Sequence, residues 1–183
     1  MYKRQVKEVD ARYRTLAKRE SRGIGGLSMG GFGSMQLAMR HPDLYSAVAT
    51  HSALLSLTYV DPHPYDAAKL TLAKSPTEWG KGYPANVQTH LKGIFGPSID
   101  NWTAHDPATL AQKLEPGKLA IYFDCGTEDV FKFADHARQL HDVLDKRGVV
   151  HTFELAPGKH DFTYWKARLP KSIAFFSSKL AKD

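Results

Sequence analysis

Cysteine is almost missing from the 183-residue sequence, in which Cys125 is the single example. One cysteine excludes an intrachain disulfide and a metal cluster built on thiolates. No run approaches the roughly 18 uninterrupted apolar residues that a transmembrane helix needs. Residues 1–8 are charged and lack the apolar stretch of a secretory signal. We therefore expect a cytoplasmic protein that does not enter a membrane.

Metal-binding motifs and an extended basic surface are missing as well. The nine histidines form no H-x-x-x-H or H-E-x-x-H pair, so no metal or cofactor is expected. Residues 1–22 hold eight Lys/Arg against three Asp/Glu, a net charge of +5, which leaves 17 against 16, or +1, for the other residues. No aromatic side chains alternate with these basic residues, so nucleic-acid binding is not expected either.

The hydrophobic pattern alternates between strands and helices along one domain that spans residues 1–183. Because buried strands that alternate with helices form parallel sheets covered on both faces, we expect an α/β fold, a three-layer αβα sandwich with a mostly parallel sheet. The predicted strands are 22–27, 46–51, 118–125 and 149–155, and the predicted helices are 3–19, 32–40, 106–114, 131–147 and 161–179.

Residues 52–101 break this pattern, since they are rich in proline and glycine and carry only short helical pieces near 65–74 and 86–92. An irregular segment of this length inside a compact domain is usually functional or mobile. We expect it to form a lid or a wall of the binding pocket; a surface insertion that merely covers apolar area is the alternative.

The stretch Gly26-Leu27-Ser28-Met29-Gly30 matches the G-x-S-x-G nucleophile elbow between a strand and a helix. The elbow lifts the serine hydroxyl clear of the sheet, and side chains at the two glycine positions are expected to collide. The start of the helix aims the Met29 N–H at the site as an oxyanion donor. In the alternative interpretation this is a glycine-rich turn in which Ser28 has no chemical role.

An acid and a base follow the elbow in the order Ser28, Asp129, His160, which is the order of an α/β-hydrolase triad. Histidine takes the serine proton, and a carboxylate fixes the histidine tautomer. Taken singly, Asp129 also suits a helix cap and His160 an ordinary loop residue. His51 ends a strand and is predicted to line the pocket. Cys125 follows a strong strand and is interpreted as inert packing.

Four segments in combination carry a resemblance to a known family. They are Gly26-Leu27-Ser28-Met29-Gly30-Gly31, Arg40-His41-Pro42-Asp43-Leu44-Tyr45, Asp124-Cys125-Gly126-Thr127-Glu128-Asp129 and Gly158-Lys159-His160-Asp161-Phe162. The chain resembles the esterase branch of the α/β-hydrolases, which includes esterase D (S-formylglutathione hydrolase), tributyrin-type esterases and the antigen 85 mycolyltransferases. The resemblance implies Ser28 as nucleophile, Asp129 as acid, His160 as base and Met29 as an oxyanion donor. Leu27, His51 and Trp165 are the expected substrate contacts.

The chain departs from the family at its front, where family members carry further strands and the loop that supplies a second oxyanion N–H. We therefore expect a reduced α/β-hydrolase fold whose strand 22–27 has an exposed edge, and a homo-oligomer that pairs through this edge. A strict monomer in light scattering would contradict the pairing. A second oxyanion donor would have to come from residues 52–100 or from a partner chain.

The function expected from these features is that of a serine carboxylesterase, which hydrolyses small acyl esters with short chains through an acyl-enzyme. Transfer of the acyl group to an alcohol and hydrolysis of a thioester are close variants. A catalytically weak fragment that acts as a binding or association module is the alternative from another class.

Overall fold

The computed structural model describes residues 2–80 and 83–182. Within them the elements in chain order are α1 Tyr2–Arg12, β1 Gly23–Leu27, α2 Ser28–Arg40, β2 Ala47–His51, β3 Tyr59–Asp61, β4 Thr71–Leu72, α3 Ala85–Phe95, α4 Ile99–Thr103, α5 Pro107–Ala111, β5 Ala120–Gly126, α6 Phe133–Lys146, β6 His151–Ala156 and α7 Phe162–Lys179. None of the helices in this part of the chain is long and apolar enough to cross a membrane.

A parallel sheet with the strand order β1-β2-β5-β6 forms the centre of the fold. β2 and β5 occupy its middle, where nearly every residue is buried on both faces. The sequence of such a strand is a short, almost continuous apolar run. For this reason the predicted ends of these strands lie within one or two residues of the observed ends. β1 lies at an edge and pairs with β2 alone among the described residues.

Helices cover both faces of the sheet. α2 packs on β1 and β2, α6 packs on β5 and β6, and α5 joins the two helices in one layer. α7 packs on β2 and β5 from the opposite face. Successive side chains of β5 point to opposite faces of the sheet. Ile121 and Phe123 belong to the main apolar core on one face, while Asp124 accepts a hydrogen bond from Arg168 of α7 on the other. The predicted three-layer αβα sandwich is confirmed.

Residues 52–80 and 83–101 form a packed excursion above the sheet. The predicted helix near 65–74 is wrong: a short 3₁₀ turn, Ala67–Lys69, leads into β4, which pairs antiparallel with β3. The Asp66 carboxylate accepts the Ala68 N–H at 3.0 Å, a local turn that competes with a helix. The second predicted piece is confirmed as α3. Trp79 and Trp102, with ring centroids 5.4 Å apart, anchor the excursion in the apolar core.

The first helix is shorter than the sequence predicts. α1 ends at Arg12 instead of residue 19, and Tyr13 and Leu16 beyond it are exposed. The Thr15 hydroxyl bonds to the Asp10 carboxylate, and the Asp10 carboxylate also receives the Arg22 guanidinium at 2.8 Å. These bonds turn the chain back toward β1, so the expected apolar stripe does not continue as a helix.

Candidate active site

Ser28 lies at the junction where β1 ends and α2 begins. Its φ angle of 51° lies in the left-handed region, which costs energy for a non-glycine residue and projects the hydroxyl away from the sheet. A Cβ on Gly26 would stand 2.5 Å from the carbonyl carbon of Gly30, so the turn requires glycine there. A Cβ on Gly30 would meet nothing within 4 Å. The expected collision is therefore real at Gly26 and wrong at Gly30.

Met29 is the second residue of α2, and its side chain is 56% exposed beside Ser28. The first four N–H groups of a helix have no acceptor inside the helix, and the helix dipole places positive potential there. The Met29 N–H is thus available to an anion that develops next to the Ser28 hydroxyl.

Asp129 lies in the loop after β5, the strand that the sequence marks most clearly. Its Oδ1 accepts the Phe131 N–H at 2.9 Å, and its Oδ2 stands 2.7 Å from His160 Nδ1. The side chain is buried, so the carboxylate is held in one orientation by the backbone of its own loop. It turns the chain before α6, but the N-cap position of that helix belongs to Lys132.

His160 joins the other two residues. Its Nε2 lies 2.9 Å from Ser28 Oγ, and its Nδ1 faces Asp129 Oδ2. With Nδ1–H donating a hydrogen bond to the carboxylate, the lone pair on Nε2 is free to accept a hydrogen bond from the Ser28 hydroxyl. Edge-on rings of Phe131 and Trp165, at centroid distances of 4.8 and 5.1 Å, fix the imidazole plane. The structure therefore brings all three predicted triad residues together.

Two close backbone approaches hold the acid loop against the histidine loop. A Cβ on Gly126 would collide with the Gly158 carbonyl, and Glu128 N–H donates to that same carbonyl at 2.9 Å. Gly158 has a φ of 147°, and the Tyr164 ring packs directly against its Cα. Asp161, next to His160, caps α7 by accepting the Tyr164 N–H at 3.0 Å. These contacts set the distance between Asp129 and His160.

A cavity of about 410 Å³ opens beside Ser28. Its walls come from the elbow, from α3 and from the loop before α6, and they are mostly apolar: Ser28, Met29, Leu54, Asn86, Val87, His90, Leu91, Phe131 and Phe133. The sequence indicated a pocket wall somewhere in residues 52–101, and helical periodicity near 86–92 was the signal for α3. It gave no signal that Phe131 and Phe133 would close the other side.

His51 does not line this cavity, so its predicted substrate contact is wrong. Its Nδ1 bonds to Asp124 Oδ2 at 3.0 Å and its Nε2 to Ser172 Oγ at 2.9 Å, between the sheet and α7. These three residues repeat the connectivity of a Ser-His-Asp triad, but none is more than 5% exposed. Ser172 Oγ also donates to the Leu169 carbonyl inside α7. A substrate has no path to this buried serine.

Asp124 is the centre of that buried cluster. It accepts hydrogen bonds from Tyr122 and Tyr164 hydroxyls, at 2.6 and 3.0 Å, and from Arg168 Nε at 3.1 Å. Burial alone would raise the pKa of Asp124, but the bonds from His51, Tyr122 and Arg168 lower it overall. The ionised cluster ties β5 to α7, and Tyr164 connects it to the histidine loop.

Leu27 and Trp165 lie beside the triad but not in the cavity wall. Leu27 is 37% exposed at the end of β1, directly before Ser28. Trp165 packs against the His160 ring and against Phe162. Their predicted contact with substrate therefore stays a prediction, and the geometry gives Trp165 the separate task of orienting His160.

Cys125 stands close to the triad without the properties of a nucleophile. Its Sγ lies 3.4 Å from Asp129 Oδ2 and is buried. Burial, together with the nearby Asp129 charge, raises the pKa of the Cys125 thiol far above its ordinary value. The thiol is therefore protonated, as the sequence interpretation of inert packing requires.

Comparison with known proteins places this geometry in a family. The family model described as "Putative esterase" matches residues 4–176. An acetyl esterase from Caldicellulosiruptor saccharolyticus is 24% identical over 161 residues, covering 87% of this chain and 56% of the relative. An S-formylglutathione hydrolase from Paracoccus denitrificans is 27% identical over 148 residues, covering 80% of this chain and 43% of the relative. The chain thus spans about half the length of these curated relatives.

The solved structure of a ferulic acid esterase superimposes with a TM-score of 0.69 at 23% identity, covering 98% of this chain and 60% of that structure. The likeness shows a shared fold over nearly the whole of the described chain. Because the family model covers most of the sequence, the chain belongs to this esterase family of the α/β-hydrolase superfamily.

Proposed function

We propose that this chain is a serine carboxylesterase that hydrolyses short-chain acyl esters through an acyl-enzyme. The observation that carries the proposal is His160, whose two ring nitrogens stand 2.9 Å from Ser28 Oγ and 2.7 Å from Asp129 Oδ2. Family membership and the names of the relatives agree with ester hydrolysis as the reaction class.

The proposed reaction proceeds in two halves. Ser28 Oγ attacks the ester carbonyl carbon while its proton passes to His160 Nε2, and Asp129 stabilises the imidazolium. The Met29 N–H stabilises the oxyanion of the tetrahedral intermediate. The intermediate collapses as the C–O bond breaks and the alcohol leaves with the proton from His160. Water then loses a proton to His160 and attacks the carbonyl carbon of the acyl-Ser28 ester. His160 returns this proton to Ser28 Oγ as the acyl–Oγ bond breaks, and the acid is released.

The cavity supports a small apolar acyl group. Leu54, Val87, Leu91 and Phe133 offer it no hydrogen bonds, and the volume of about 410 Å³ falls at the small end of ligand sites. Two polar side chains, Asn86 and His90, lie on the α3 side of the wall. We propose that the acyl chain occupies the apolar part and that the excursion over residues 52–101 acts as the pocket wall. Pairing of the β1 edge with a second copy stays a prediction.

Hydrolysis of p-nitrophenyl butyrate by the wild type and by Ser28→Ala tests the proposal. We expect turnover to fall by at least about 10³-fold in the variant, because the covalent step is lost. Fluorophosphonate labelling of the same proteins reports whether the hydroxyl is activated.

The matched control is Ser172→Ala, since Ser172 also lies 2.9 Å from a histidine nitrogen that is paired with an aspartate. We expect Ser172→Ala to keep both the turnover and the label. Equal background rates and no label in the wild type would contradict the esterase and favour a binding module. An intact rate in Ser28→Ala would contradict Ser28 as the nucleophile.

A further inference from the structure

Two histidines meet at the start of β6, the end of the strand opposite to the triad. His141 of α6 places Nδ1 2.8 Å from Nε2 of His151, the first residue of β6. His151 and Ala156 stand at opposite ends of β6, which at about 3.3 Å per residue separates them by about 16 Å. The histidine loop that carries His160 follows Ala156. This pair is therefore remote from the proposed esterase chemistry.

A carboxylate completes the group. Asp145 follows His141 by four residues on α6, which puts both side chains on one helix face, and its Oδ2 lies 3.9 Å from His141 Nε2. One donor atom from each of His141, Asp145 and His151 falls within 4.8 Å of the other two. Both imidazoles are half-buried, while Asp145 is exposed to solvent.

The hydrogen bond of His151 to the backbone leaves its Nε2 unprotonated, as a metal ligand must be. Nδ1 of His151 lies 2.8 Å from the Val149 carbonyl oxygen, which can only accept a hydrogen bond. The proton therefore resides on Nδ1, and the Nε2 lone pair points to His141. A histidine whose second nitrogen donates to a backbone carbonyl is the arrangement that orients histidine ligands in metal sites.

Aromatic neighbours hold both rings in place. Phe123 stacks on His151 with an interplanar angle of 11°, and Phe153 packs against His141 with centroids 4.9 Å apart. Around zinc at 2.0–2.1 Å, two tetrahedral ligand nitrogens stand about 3.3 Å apart. The two nitrogens would have to separate by about half an ångström from their present 2.8 Å, which a small rotation of the His141 side chain provides.

We propose that His141, Asp145 and His151 bind a Zn²⁺ ion. A water molecule completes the tetrahedral coordination of the ion. Two imidazoles and one carboxylate suit zinc, whereas Mg²⁺ and Ca²⁺ prefer oxygen ligands alone. The ion clips the end of α6 to the start of β6. The sequence indicated no metal because the two histidines are ten residues apart and meet only through the turn between α6 and β6.

Calorimetric titration of the purified chain with ZnCl₂ after treatment with a chelator tests the site. We expect one Zn²⁺ per chain and an affinity that falls by at least about 10-fold in both His141→Gln and Asp145→Asn, because each removes a direct ligand and the loss of an outer-shell partner alone costs about 10- to 100-fold. Zn²⁺ should raise the Tm of the wild type, and at the same Zn²⁺ concentration it should raise the Tm of both variants less. Co²⁺ should give the visible absorption of a tetrahedral site, and Mg²⁺ should not bind.

The matched control is His105→Gln, which removes another half-buried histidine whose Nδ1 faces a backbone carbonyl, that of Asn101. We expect it to bind Zn²⁺ like the wild type. Asp145→Asn changes an exposed side chain and should fold normally. This variant therefore tests the site even if His141→Gln does not fold. Unchanged Zn²⁺ affinity in His141→Gln, or in Asp145→Asn, would overturn the three-ligand site. In the first case a plain hydrogen bond between the two imidazoles would account for the pair.

Discussion

At the scale of single residues, the elbow is recognisable in the sequence because its requirement is steric. Ser28 has a φ of 51° between a strand and a helix. This tight turn requires glycine wherever a side chain would collide with its backbone, and such glycines are visible in the sequence. The structure separates the two glycines of the motif, since only Gly26 meets backbone atoms within 3 Å of a built Cβ. Gly30 faces open space there.

Paired substitutions test this difference. In Gly26→Ala the methyl group meets the Gly30 carbonyl group at 2.5–2.6 Å, so the turn must shift. We expect a loss of at least about 2 kcal/mol in the free energy of unfolding, measured by urea denaturation, and weaker fluorophosphonate labelling. Gly30→Ala adds a methyl group in free space within the first turn of α2 and should leave stability unchanged or raise it by up to about 1 kcal/mol. Equal losses in both variants would contradict the steric account.

At the scale of helices and strands, periodicity and chain breaks predicted the sheet and the helices that pack on it. β1, β2, β5 and β6 fall within the predicted strands or within two residues of them, because a buried parallel strand is a short apolar run. The errors lie where packing does not support the local pattern. α1 stops at Arg12, and β4 replaces part of a helix expected near 65–74.

The start of α7 is the element that sets the histidine loop, and Asp161 is its cap. Asp161→Ala removes the acceptor of the Tyr164 N–H, now 3.0 Å away. We expect the free energy of unfolding to fall by about 1 kcal/mol, the usual worth of such a cap. Because His160 is the preceding residue, we also expect kcat for p-nitrophenyl butyrate to fall more than KM changes.

Asp161→Asn is the matched control, since its amide oxygen still accepts the Tyr164 N–H. Stability and kcat should return close to wild-type values in this variant. Wild-type kcat in Asp161→Ala, despite the lost stability, would show that the cap does not position His160.

At the scale of the whole molecule, the sequence indicated which three side chains lie together at Ser28 but not the surfaces around them. Ser28, Asp129 and His160 each follow a strand, and the carboxyl ends of parallel strands share one edge of the sheet. His51 also ends a strand, but its side chain faces α7, because alternation along β2 decides the face and the sequence did not fix that register. The walls of the cavity are formed by α3 and by Phe131 and Phe133. These parts are far apart in the chain, so no local sequence pattern indicates that they meet.

His136 of α6 links the excursion to the main domain through two hydrogen bonds. Its Nδ1 lies 2.9 Å from the Ser56 carbonyl, and its Nε2 lies 2.6 Å from the Tyr83 hydroxyl. Burial lowers the pKa of His136 to about 4, and the nearby His63 adds to this effect. The Ser56 carbonyl and the charges of Asp135 and Asp129 oppose the shift but do not outweigh it.

Stability should therefore decrease as the pH falls from about 6.5, the ordinary value for histidine, to about 4. In this window the unfolded chain binds a proton at His136 and the folded chain does not, so acid favours unfolding. The difference between the ordinary pKa of 6.5 and the pKa of about 4 for His136 in the folded chain corresponds to a loss of about 3 kcal/mol near pH 4. Above about pH 7 both states are neutral at this position and the contribution vanishes.

Urea denaturation of the wild type and His136→Asn across this pH range measures the effect. Asparagine can still donate to the Ser56 carbonyl and does not titrate, while every other group titrates alike in both proteins. We expect the wild type to lose about 3 kcal/mol more than the variant between about pH 7 and pH 4. If the two stability curves stay parallel, His136 is not held neutral by burial, and the junction between the excursion and α6 does not govern the acid stability of the fold.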